Sequence, residues 1–180
     1  MTNKSIKLNS GYIINMRKSI DEKKKKYWKY IRSENLLSKK EAALFRTHDL
    51  KSLYNEITQL SDKLVYIKGM LFYLNMGITT FDKEAFKKTN NYNIFMACEM
   101  KETIAQLKMI PTLNEKTKAQ KGVKGTGKTE IFTSAKIAAL IKDLQLKATK
   151  HDSEMEKFNN NTEITLDEKT TPMFESDMAI

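Results

Sequence analysis

The chain has 180 residues, which is enough for one domain with a buried core. Hydrophobic residues make up 40% and charged residues 30% of it, a balance that favours long helices with one apolar stripe each over a sheet buried on both faces. The single cysteine, Cys98, excludes an intramolecular disulfide framework, and the most apolar run, Leu64 to Leu74, is far shorter than a membrane span of about 20 residues. Since no secretory signal pattern is visible, we expect a cytoplasmic protein, in a cell or in a phage-infected host.

The net charge of +10 is unevenly distributed along the chain. From Asp152 onward, eight acidic residues stand against two lysines, a balance of −6, so residues 1–151 carry +16. Such a basic body attracts nucleotides, nucleic acid or other polyanions in a salt-dependent way. Only three of the 32 basic residues are arginine, which argues against sequence-specific DNA recognition. The alternative is a lysine-rich solvated surface.

The N-terminal half is predicted to be helical. Apolar spacing predicts a first helix over 12–32, and the capping-box pattern from Ser38 to Glu41 predicts a short second one. The strongest pattern begins at Asp49 and ends at Leu74. Its second half is apolar almost all round, so we expect it to be covered on several sides by its own chain or by a second subunit.

The C-terminal half continues the helical pattern. Residues 75–90 predict a connection with one short helical turn, and a third long helix follows over 91–110, with Cys98 among its inward residues. Residues 112–129 have no periodicity and predict a loop. A fourth long helix is predicted over 134–158.

Two weaker patterns concern the fourth helix. Shifted by 84 positions, the stripe of the Asp49–Leu74 helix aligns with it, with His151 in place of Ile67. The alignment predicts two helices that pack as equivalent partners, although any two amphipathic helices align at some offset. Thr129–Thr133 and Glu163–Leu166 are short and partly β-branched, so they are predicted to pair as a ribbon.

These elements predict an all-α fold, in which long antiparallel helices form a bundle or helical hairpins with at most a minor two-stranded β-ribbon. We expect one helical domain over 1–162. It comprises a basic N-terminal helical part (12–46) and a long-helix core (49–158) that contains the 112–130 loop. An acidic tail over 163–180 follows.

Residues 122–129 match the phosphate-loop pattern G-x-x-x-x-G-K-[ST]. In a working loop of this kind, backbone N–H groups hold the phosphates, and the loop lies between a buried strand and a helix. Here residues 114–121 are polar, the repeated strand–helix units are absent, and no second apolar strand supplies an acidic metal partner. A nucleotide hydrolase is therefore the least favoured interpretation.

The same segment nevertheless has the composition of an anion-binding loop. Five lysines fall within thirteen residues between Lys116 and Lys128, with glycines that let the backbone close on a ligand. The alternative is a flexible linker whose lysines keep it soluble. On the first interpretation, the phosphate-binding residues are Lys118, Lys121, Lys124, Gly125, Gly127, Lys128 and Thr129.

A second basic cluster lies on the first helix, where Tyr27 and Trp28 interrupt a run of lysines. Lysines with interleaved aromatics can hold a nucleic-acid backbone and stack bases. Packing of the aromatics in the core, with a solvated lysine face, is the favoured alternative. The predicted secondary patch consists of Lys25, Lys26, Lys29 and Arg32.

No catalytic, metal-binding or cofactor-binding constellation is predicted. His48 and Cys98 lie in segments without evident partners, and His151 is expected to be a packed, hydrogen-bonded histidine. Glu99 and Glu102 lie three apart on one helix, a spacing typical of ordinary surface charge. We therefore expect a protein that is not an enzyme.

Two long-helix segments resemble a known family. The stretch from Leu50 to Asn75, the third helix, and the stretch from Ile137 to Asn159 with Asn161-Thr162-Glu163-Ile164 after it are similar to small septicolysin-like proteins of bacteria and phages. The resemblance covers about 115 residues. It implies a long-helix fold and self-association but no defined activity, and the first 45 residues and the Lys/Gly segment depart from it.

The leading functional hypothesis is a homo-oligomeric, non-catalytic protein that holds or sequesters a nucleotide, as a phage accessory protein does. The runner-up is a structural or assembly protein, such as a virion component, that contacts nucleic acid or protein partners. No membrane partner is expected.

Overall fold

The computed structural model describes residues 6–113 and 127–173. Within these two ranges, six helices and one two-stranded antiparallel ribbon confirm the predicted fold class. In chain order the elements are α1 (Ser10–Glu34), β1 (Leu36–Ser38), α2 (Lys39–Phe45), α3 (Leu50–Asn75), α4 (Lys83–Lys87), α5 (Asn90–Lys108), β2 (Lys128–Glu130), α6 (Ser134–Asn161) and a 3-10 helix (Thr171–Met173).

Side-chain caps fix where the helices begin. A side-chain oxygen just before each long helix accepts a hydrogen bond from a backbone N–H group of its first turn, which otherwise has no partner. The predicted capping box of α2 is confirmed, because Ser38 and Glu41 bond each other's backbone N–H groups. The capping residues of the four long helices are Asn9, Asp49, Thr89 and Thr133.

The four long helices pack in chain order, α1 on α3, α3 on α5 and α5 on α6. Each is antiparallel to the long helix before it, because in every such pair the C-terminal part of one helix lies beside the N-terminal part of the other. The contacts that show this are the rings of Trp28 and Tyr54 (6.1 Å between centroids), those of Tyr66 and Tyr92 (6.2 Å), and the hydrogen bond between His151 and Asn93 (2.8 Å).

The main core lies at the end of the bundle where α1 and α5 end and α3 and α6 begin. Trp28 is 2% exposed and Ile31 is fully buried there, so the apolar face of the basic helix is used for packing. This confirms the packing interpretation of the aromatic residues in α1. The buried cluster consists of Trp28, Ile31, Leu50, Leu53, Ile57, Leu107, Ile110, Phe132 and Ile137.

An aromatic cluster covers the second half of α3 at the opposite end. Phe86 of α4 is fully buried, and its ring lies 5.3–6.4 Å from the rings of Phe81, Tyr92, Tyr73, Tyr66 and Phe95. Gly69 of α3 allows this approach, because a Cβ at that position would lie 2.5 Å from Phe86 Cζ. The predicted covering of α3 is therefore supplied at this end by the chain itself.

Three sequence predictions about the helices were wrong. The stripe of α6 is much less buried than that of α3, with Phe158 45% exposed, so the two helices are not equivalent partners. β2 pairs with β1, whereas Glu163–Leu166 lies outside any strand. Cys98 is exposed, because the buried face of α5 passes through Ala97 instead.

Glu99 is a buried charge, which corrects its assignment to the surface. It is 3% exposed, and its carboxylate accepts hydrogen bonds from Lys24 Nζ of α1 (2.6 Å) and Lys68 Nζ of α3 (2.7 Å). Burial opposes the charged form, but the two lysines outweigh it and hold the pKa of Glu99 below its ordinary value of 4.5. The pair of contacts joins three helices.

We predict that Gly69→Ala destabilises the protein by about 2 kcal/mol despite the better helix propensity of alanine, because its methyl group would displace Phe86. Gly11→Ala in α1 is the matched control, since its added Cβ meets only Asn9 at 3.5 Å. Urea unfolding measures both. Equal stabilities of the two variants would contradict the close packing of Phe86 on α3.

We predict that Glu99→Gln costs about 3 kcal/mol at pH 7, because Lys24 would remain buried without its counter-charge. The stability from the charged form of Glu99 is present above pH 4.5 and is lost as the pH falls through the lower folded pKa. Urea unfolding of wild type and variant should therefore show a difference that shrinks below about pH 4.5.

The matched control is Glu102→Gln, since the Glu102 side chain is 54% exposed and lies 3.8 Å from Lys24. Its cost should stay below about 1 kcal/mol at every pH. A cost of Glu99→Gln that does not change with pH would contradict the ionised pair.

Candidate functional site

The flanks of the Lys/Gly segment meet at one buried amide, Asn35. This residue follows the last residue of α1 and is 0% exposed. Its Nδ2 donates to the carbonyl oxygens of Pro111 (2.9 Å) and Phe132 (3.0 Å), and its Oδ1 accepts from the N–H groups of Ile131 (3.2 Å) and Phe132 (2.7 Å). Asn35 therefore joins the end of α1 to the chain before and after the segment.

Arg46, just after α2, makes the second link. Its guanidinium donates to the carbonyl oxygens of Glu34 (3.1 Å) and Asn35 (3.1 Å), which lie at the end of α1. It also donates to the hydroxyl (3.3 Å) and the carbonyl oxygen (3.2 Å) of Thr129 in β2. Because the guanidinium is a rigid fork of donors, these bonds fix β2 against the end of α1.

Glu130 makes the third link, since its Oε2 accepts from the N–H group of Leu113 at 2.8 Å. Leu113 directly precedes residues 114–126, and Glu130 lies four residues after them. We call Asn35, Arg46 and Glu130 together the clasp. Its contacts hold the chain on both sides of residues 114–126 in fixed positions.

The predicted phosphate-binding residues divide into two groups. Lys118, Lys121, Lys124 and Gly125 lie outside the described residues. Gly127, Lys128 and Thr129 lie at the clasp. Gly127 adopts φ +63°, a left-handed conformation that favours glycine, and Lys128 pairs with Ser38 across the ribbon.

The end of the motif departs from a working phosphate loop. In such loops the lysine and the hydroxyl residue begin a helix, whose N-terminus faces the phosphates. Lys128 and Thr129 instead lie in β2, and the next helix begins five residues later at Ser134. The structure therefore does not place these two residues as a nucleotide hydrolase would.

The start of α2 brings further lysines to this site. The N–H group of Lys39 donates to the carbonyl oxygen of Gly127 at 2.7 Å, so the first turn of α2 lies beside the end of the Lys/Gly segment. Lys39 and Lys40 are both exposed on this turn. Glu41, the next acid along the sequence, is engaged by Ser38, and hydrogen bonds from Ser38 lower the pKa of Glu41.

The sequence analysis did not include Lys39 and Lys40 among the candidate site residues. The capping box does predict that both lie in the first turn of α2. A capping box places the residues after Ser38 in the first helical turn, where they are held in defined positions. The contact with Gly127 spans 88 residues of sequence, and no local pattern indicates it.

The secondary patch is not brought to the clasp by any contact among the described residues. Lys25, Lys26 and Lys29 are exposed on α1, with Lys26 Nζ 5.7 Å from the ring centroid of Tyr30. Arg32 is partly buried and donates to Gln106 Oε1 at 2.5 Å, which joins α1 to α5. Arg32 is thus a packing residue.

His151 is packed and hydrogen-bonded, as expected. It bonds Asn93 and lies edge-on to Tyr92, with ring centroids 6.0 Å apart. Burial, and after it the charge of Lys150, lower the pKa of His151. Its role is to hold the end of α6 against the start of α5.

Within residues 6–113 and 127–173, no group of three or more His, Cys, Asp or Glu side chains is placed to hold a metal ion. No helix in this part of the chain combines the length and apolarity needed to cross a bilayer.

No protein-family model matches the sequence, and neither the characterised proteins nor the solved structures include a significant match.

Proposed function

We propose that this chain binds a phosphate-bearing ligand, such as a nucleotide, through its Lys/Gly segment and without turning it over. The observation that carries the proposal is the 2.7 Å bond between the Lys39 N–H group and the Gly127 carbonyl oxygen. It places Lys39 and Lys40 beside Gly127 and Lys128, where the segment ends. Several exposed ammonium groups on one surface attract a polyphosphate more strongly than any of them alone.

The clasp supports this proposal by reducing the entropy lost on binding. A segment with both ends fixed has fewer conformations to lose when it closes on an anion. Backbone N–H groups near Gly127 can then contribute to binding alongside the lysine charges. The strand placement of Lys128 and Thr129 favours binding over hydrolysis, so we assign the chain a sequestering role in the cytoplasm.

Self-association is part of the proposal. Leu146 and Phe158 of α6 are 66% and 45% exposed, and burying such side chains against a second copy would stabilise an oligomer. The septicolysin-like resemblance favours the same arrangement. An oligomer would bring several Lys/Gly segments together around one ligand.

The second candidate is a structural or assembly protein that contacts nucleic acid or protein partners. Leu44 and Phe45 at the end of α2 favour it, because they are 72% and 62% exposed beside the basic surface. Apolar side chains next to lysines suit a macromolecular contact better than a free nucleotide.

We predict that ATP and inorganic triphosphate bind the wild-type protein saturably in calorimetric titrations. A triple variant, Lys118→Ala, Lys121→Ala and Lys124→Ala, should weaken binding about tenfold or more, because a lysine that pairs with a phosphate contributes about 0.5–1 kcal/mol. Lys39→Ala with Lys40→Ala should weaken it about fivefold by the same reasoning.

The matched control removes three exposed lysines that lie about 20 Å or more along their helices from the clasp: Lys18, Lys63 and Lys150. Equal weakening by both triple variants would contradict a local site and indicate a general charge effect. Salt-dependent binding of duplex DNA without affinity for ATP would favour the second candidate. Magnesium-dependent phosphate release would contradict the absence of turnover.

A further inference from the structure

A groove separate from the Lys/Gly segment lies between α3, α5 and α6. Its volume is about 410 Å³, within the range of small-molecule sites. Apolar side chains from all three helices form much of its wall, and methionines give that wall an adaptable shape. These residues are Tyr54, Met96, Met100, Leu140 and Leu144.

One polar group in this groove has no described partner. Ser61 of α3 lines the groove and is 7% exposed, yet its Oγ forms no hydrogen bond with the described part of the chain. A buried hydroxyl without a partner is unfavourable, so such groups in folded proteins commonly meet a ligand or a water molecule.

Of the three acidic side chains that line the groove, two are paired with lysines and one is not. Lys24 and Lys68 occupy both oxygens of Glu99, and Lys147 binds Asp143 at 2.7 Å. Asp62, the neighbour of Ser61, forms no ion pair with a described residue. Asp62 is exposed to solvent, and partial burial, and after it the Glu99 charge, raise its pKa. A cation bound beside Asp62 would counter both effects.

We propose that this groove binds a small organic cation, an amine whose apolar body lies on Met100, Leu140 and Leu144 and whose ammonium group lies between Asp62 and Ser61. The ammonium donates to the Asp62 carboxylate and to Ser61 Oγ, which gives the buried hydroxyl a partner. The unpaired carboxylate of Asp62 repels anionic ligands of the same shape, whereas Asp143 is neutralised by Lys147. The site is independent of phosphate binding at the clasp.

The experiment is a titration of ¹⁵N-labelled full-length protein with tryptamine, followed by amide chemical shifts. The matched probe is indole-3-propionate, which carries the same ring and the opposite charge. Tryptamine should bind saturably and shift amides near Ser61, Met100 and Leu144, whereas indole-3-propionate should not bind there.

Two variants test the residues. Asp62→Asn keeps the shape of the side chain and should weaken tryptamine about fivefold or more, while Glu22→Gln, an exposed acid of α1, should leave the affinity unchanged. Leu144→Trp should fill the groove and abolish binding.

Far-UV circular dichroism confirms that each variant is folded. No saturable tryptamine binding, equal affinity for the two probes, or an unchanged affinity in Asp62→Asn would each overturn the proposal.

Discussion

The arrangement around the Lys/Gly segment depends on the buried side chain of Asn35. A carboxamide offers two N–H donors and a carbonyl oxygen with two acceptor sites, and all four are used here. The four bonds reach Pro111, three residues after α5, and Phe132, two residues before α6, so one residue connects the ends of three long helices. Because the site is fully buried, each unmade bond would leave a backbone group without a partner.

Local patterns predicted the helices well because their causes are local. The apolar stripe of α3 and the capping box of Ser38 and Glu41 depend on residues three or four apart, and both are present in the structure. The same reasoning failed for Glu99, whose partners Lys24 and Lys68 lie 75 and 31 residues away. A charge with distant partners looks the same in the sequence as a surface charge.

The phosphate-loop match shows a similar limit for the candidate site. All eight residues of the motif are present, but phosphate binding by such a motif depends on a strand before the loop and a helix directly after it. Thr129 instead bonds Arg46 from within β2, and Gly127 accepts from Lys39. These contacts differ from the end of a phosphate loop, and they anchor the lysine-rich segment where it ends. The proposed anion site therefore rests on charge and anchoring rather than on the motif.

Native-state amide hydrogen exchange tests the clasp most directly. The clasp requires that the chain on both sides of residues 114–126 stays folded whether or not a ligand is bound. The account predicts that the N–H groups of Leu113, Ile131 and Phe132 exchange slowly, with opening free energies close to that of global unfolding. Exchange of these three groups at the rate of an unprotected peptide, while amides in the middle of α5 stay protected, would contradict it.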